Sequence, residues 1–80
     1  MCIKCHSAIE AILIYGEKEY AHRNRQENIE WAKFYCAVNA LLKITDRTEL
    51  LAKSQALPHL RRTSMLRSLI IEYLECSVDC

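Results

Sequence analysis

The chain has 80 residues, 51% of them hydrophobic, and a formal net charge of +1. That length admits one domain, and the apolar content excludes intrinsic disorder. A single Gly and a single Pro are too few to turn a many-stranded sheet, whose tight turns need positive φ. Charge close to zero also argues against a dedicated nucleic-acid binder, which carries a clear basic excess.

What remains is an all-α fold: one domain over residues 1–80, built as a small bundle of about four helices in up-and-down order. No uncharged run approaches the roughly 20 apolar residues that cross a bilayer, and no export leader is recognisable, so the expectation is a cytoplasmic protein with no membrane contact. Five cysteines, an odd number, fit thiols in a reducing compartment better than a disulfide framework.

The first helix is expected over about residues 3 to 22, because Ala8, Ile9, Ile12, Leu13, Gly16 and Tyr20 recur at helical steps and share a face. Gly16 fits two places, either inside that helix where a neighbour approaches closely or just past the end of a shorter one. A bend falls near Asn24, which forms a capping box with Glu27.

The second helix carries a stripe of Trp31, Phe34, Tyr35, Val38, Leu41 and Leu42. A further row of small residues, Ala32, Cys36 and Ala40, lies four apart on another face, so this helix is expected at the centre of the core, buried on more than one side. Asn39 lies between the rows and needs a hydrogen-bond partner if buried.

Asp46 with Glu49 caps a short third helix, expected over about residues 47 to 57 and carrying Leu50, Leu51 and Leu57. Pro58 ends it and is suited to open the fourth. There Leu66, Leu69, Ile70, Tyr73 and Leu74 make a stripe, with Met65, Ile71 and Val78 apolar on the flanks. That surplus of apolar flank suits a partner surface, and a core this small would gain from burial in a homodimer.

Several motifs bear on chemistry. Cys2-Ile3-Lys4-Cys5-His6 has the letters of a c-type haem attachment site, but such attachment takes place outside the cytoplasm. Cys2 and Cys5 stand one helical turn apart, as do Cys76 and Cys80, and an up-and-down bundle brings both ends of the chain together. Those four thiolates are candidate ligands for a structural zinc, with His6 as a substitute. Gly-rich phosphate loops, nucleophile elbows and His-Glu-x-x-His pairs are all missing, so no enzyme activity is expected. Tyr15, Tyr20, Trp31 and Tyr35 suit a core or an interface better than a stacking platform for bases.

Between Glu49 and Glu72 there is no acid, while Lys53, His59, Arg61, Arg62 and Arg67 fall in that window. They form a candidate patch for an acidic protein or for phosphates. Arg62-Thr63-Ser64-Met65-Leu66-Arg67 followed by Ile70, Glu72, Tyr73 and Leu74 resembles the second helix of ribbon-helix-helix DNA-binding proteins, with Leu50 to Leu57 in the place of the first. The resemblance implies DNA recognition by an extended strand, for which Ala40 to Thr45 is the candidate.

The leading expectation is therefore a small cytoplasmic regulator or inhibitor that binds another protein without catalysis, as a homodimer. Such proteins are of the kind carried by bacteria, phages or mobile elements. A DNA-binding regulator using the basic segment 59–67 and a zinc-stabilised helical module are the alternatives.

Overall fold

A computed structural model describes residues 2–19, 21 and 24–76. They form four helices and, among the described residues, no strand: α1 (Ile3–Glu19), α2 (Arg25–Leu41), α3 (Arg47–Gln55) and α4 (Ser64–Cys76). The all-α architecture expected from the sequence is the one observed.

Helix starts follow capping chemistry. Asn24 stands in extended conformation before α2 and its Oδ1 accepts from the Glu27 amide at 2.9 Å. Asp46 does the same for α3, its Oδ2 accepting from the Glu49 amide at 3.3 Å. Each satisfies one of the amides that the first helical turn leaves without a partner. For α1 the equivalent acceptor is the Cys2 sulfur, 3.3 Å from the Cys5 amide. At its far end α2 tightens through the Lys43 amide to the Ala40 carbonyl and the Ile44 amide to the Leu41 carbonyl, three-residue bonds that close the last turn.

The core takes one stripe from each helix: Ile9 and Leu13; Trp31, Phe34, Val38 and Leu41; Leu50; and Leu66, Ile70 and Leu74, joined by Leu57 from the α3–α4 connection. Cys5 and Gly16 complete the buried face of α1. Trp31 sits in ring contact with Phe34, centroids 5.9 Å apart and planes tilted by 40°. Gly16 lies inside α1, settling its two possible placements. A Cβ there would stand 2.6 Å from the Trp31 ring and 2.7 Å from Leu66 Cδ1, so glycine leaves room on α1 for both side chains.

The start of α4 meets the end of α3 and the end of α4 the start of α3, so this pair runs antiparallel. α3 packs on α4, α4 on α1 and α2 on α3. The fourth side, between α1 and α2, is more open: their backbones stand farther apart than those of the other neighbours, while Gly16 and Trp31 bring the two helices into contact.

Three expectations are corrected. The row Ala32, Cys36 and Ala40 is exposed, because Trp31, Phe34, Val38 and Leu41 alone fill the inward face of α2 and place that row toward solvent. Helix four starts at Ser64, six residues beyond Pro58. The connection between α3 and α4 carries Leu57 into the core just before Pro58 and packs Leu60 against it just after. Ala40 and Leu41 end α2 and Leu42 and Lys43 form a turn, so the strand implied by the ribbon-helix-helix resemblance is not formed there.

Candidate interaction surface

The basic residues do not form one surface of uniform sign. Arg67 is a structural clamp: its Nε donates to the Leu57 carbonyl at 2.9 Å and its terminal nitrogen to the Gln55 carbonyl at 3.1 Å. Both acceptors belong to the end of α3, where carbonyls lack helical partners. Arg62 forms an ion pair with Glu27 at 3.3 Å. Arg61 is exposed beside it, in a polar recess that also holds Glu27 and Glu30. His59 is exposed and hydrogen-bonded to Ser64 Oγ at 3.3 Å, and Lys53 stands apart on α3 beside the groove against α2. Segment 59–67 thus combines one carbonyl clamp, one neutralised charge and one exposed arginine.

The cysteines are placed unequally. Cys2 is disulfide-bonded, whereas thiols were expected throughout. Cys5, a thiol, is buried at 1% exposure under the first turn of α1. Cys76 is an exposed thiol at the end of α4, and Cys80 lies outside the described residues. Among the described residues no group of three His, Cys, Asp or Glu side chains is placed to hold a metal, and no helix is long and apolar enough to cross a membrane. Val78, the outermost apolar flank residue of the fourth stripe, also lies outside the described residues.

The distinctive surface is the open side of the bundle. Between α1 and α2 runs a groove whose upper half is walled by Ile14, Tyr35, Asn39 and Leu42 over Leu13. It continues along α2 past Trp31, Ala32 and Cys36, sharing Glu17 and Tyr35 with the first half. Ile14 is 59% exposed and Tyr35 42% exposed. Both sit one position off their helices' buried stripes, at the edge where the two inward faces diverge. Tyr35 lies against Trp31, ring centroids 6.2 Å apart and planes tilted by 46°. Among the described residues lining the groove, Glu10 and Glu17 are the charged ones, both acids on α1, and Glu10 stands 3.4 Å from His6 Nδ1. Asn39, half-buried, presents its amide to the same space.

Sequence periodicity placed Tyr35 in the core stripe and passed over Ile14. The signal that would have separated them is count: four of the six large apolar positions on α2 already fill its inward face. Comparison with protein-family models, curated proteins and solved structures finds no match.

Proposed function

We propose that this chain is a small helical interaction protein that acts by binding another protein, without chemistry of its own, through the groove between α1 and α2. One observation carries this: the side of the bundle with the widest helix spacing is also where Ile14 and Tyr35 stand exposed over an apolar floor. Large apolar side chains lining a cleft leave water only when something occupies it. A groove between two helices is a common seat for a partner's helix or loop. The basic segment offers less, because Arg67 and Arg62 are engaged within the fold.

Photo-crosslinking in the cells that make the protein tests this. A benzophenone amino acid at position 35 is expected to give a discrete protein adduct, and the same group at position 61 much less. Crosslinking to nucleic acid from position 61 with nothing from position 35 would overturn the proposal in favour of a DNA-binding regulator.

A further inference from the structure

We infer that Cys2 and Cys5 form a thiol–disulfide exchange site, in which the Cys5 thiol displaces the sulfur bonded to Cys2 and closes a Cys2–Cys5 bridge. The exchange alters the chain itself, at the start of α1 and away from the groove, so it stands independently of the proposed function. Three observations carry it.

The first is bonding state. Cys2 is disulfide-bonded, while Cys5, Cys36 and Cys76 are thiols, so none of these is its present partner. The second is position. Cys2 stands just before α1, and its sulfur takes the place of a capping oxygen, accepting from the Cys5 amide at 3.3 Å. Residues three apart at a helix start lie on one face of the same turn. Cys5 therefore shares a turn with the bonded sulfur, whereas Cys36 and Cys76 belong to α2 and α4. The amides that open a helix also favour an anionic sulfur. Whenever Cys2 is reduced, its thiolate is the one held ready for exchange.

The third is access. Cys5 is 1% exposed, while Cys2 is half-buried. A disulfide in solution thus reaches Cys2 first, and Cys5 is reserved for the bond its neighbour has formed. Opening of the first turn, among the least costly local openings of a helix, brings the two sulfurs together.

The chemistry balances within the chain. Cys5 gives its proton to solvent and its thiolate attacks Cys2 Sγ; the new S–S bond forms as the old one breaks, and the displaced sulfur leaves as a thiolate that takes up a proton. One disulfide replaces another, so no oxidant is consumed. Oxidised glutathione enters the same way. A reduced Cys2 thiolate forms a mixed disulfide and releases one glutathione thiol; Cys5 then releases the second and leaves the bridge.

Lys4 lies between the two cysteines, so trypsin cuts the loop of a Cys2–Cys5 bridge and leaves residues 1–4 disulfide-linked to residues 5–18. The full chain is equilibrated with mixed reduced and oxidised glutathione, trapped with N-ethylmaleimide, digested and read by mass spectrometry. At about 0.1 mM glutathione the linked peptide is expected to exceed the Cys2–glutathione adduct about tenfold, because a thiol in the same turn competes at an effective concentration in the mM range. Cys5→Ala should raise the adduct by about the same factor with the circular dichroism spectrum unchanged. Cys36→Ala, at an exposed position, should change neither product.

A linked peptide absent at every glutathione ratio, or formed only after unfolding in urea, overturns the inference. So does an adduct that persists equally with and without Cys5, or a link from residues 1–4 to the peptide carrying Cys36 or Cys76 in place of Cys5. If Cys5→Ala does not fold, the linked peptide in the unaltered chain decides alone: its presence in the native protein sustains the exchange site and its absence overturns it.

Discussion

Arg67 donates its Nε–H to the carbonyl of Leu57 at 2.9 Å, holding the first turn of α4 against the exit of α3. At the other end of the same pair, Arg47 in the first turn of α3 donates to the Leu74 carbonyl near the end of α4 at 3.2 Å. Each helix thus supplies a guanidinium to the carbonyl end of the other, where the backbone has acceptors to spare and the helix dipole favours a cation. The two contacts fix the register of the α3–α4 pair.

Replacing Arg67 should therefore act on stability. Arg67→Met keeps most of the apolar stem and removes the bonds to Leu57 and Gln55. It is expected to lower the unfolding free energy by about 1–3 kcal/mol in urea titrations. Arg61→Gln, at an exposed position, should leave the midpoint almost unmoved. Equal small effects from both would mean that the clamp contributes nothing.

Gly16→Ala sets two effects against each other. Alanine is the better helix former by about 1 kcal/mol in an open helix, yet the added methyl would meet Trp31 and Leu66 inside 3 Å. Overpacking of that kind costs about 1–3 kcal/mol. The Trp31 ring is 6% exposed and backed by Phe34, so it has little room to yield. The expected sum is a loss of about 1–2 kcal/mol, read as a lower thermal midpoint; a stabilised variant would show that α1 can shift away from α2 freely.

Thr63 precedes α4 and is 1% exposed, and its hydroxyl has no hydrogen-bond partner. A buried hydroxyl in that state is destabilising. Thr63→Val keeps the shape and removes the hydroxyl, with an expected gain of about 1 kcal/mol, whereas Thr63→Ser keeps the hydroxyl, opens a methyl-sized void and should lose about as much. If valine destabilises the protein, the hydroxyl has a bonding role in solution.

The helical class, the caps at Asn24 and Asp46 and most of the core were legible in the sequence, because capping and period-3.6 spacing are local properties that no distant contact reverses. Two things were not legible. Which of two apolar rows on α2 faces inward depends on what meets it across the bundle, where the Trp31 ring fills the space that Gly16 leaves on α1. The role of Arg67 depends on how the α3–α4 connection folds back, and a run of basic residues in one dimension looks alike whether its members face solvent or cap a neighbouring helix. The groove joins residues from α1 and α2 that share no sequence pattern, so it emerges only once the helices are placed.

The packing of α1 on α4 also dictates an order of events. Helices α2, α3 and α4 follow one another by short connections, and their mutual contacts close small loops. The first helix must find the last across all of that chain, the least probable encounter in the molecule. Assembly is then expected to proceed from the α2–α4 segment, with α1 docking after the main barrier. Truncating Ile9 to valine should speed unfolding and leave the folding rate nearly unchanged, while truncating Ile70 to valine should slow folding, a contrast that stopped-flow chevrons resolve when each change exceeds about 0.6 kcal/mol. Helix α1, one wall of the groove, would then be the element that detaches first when the native state opens.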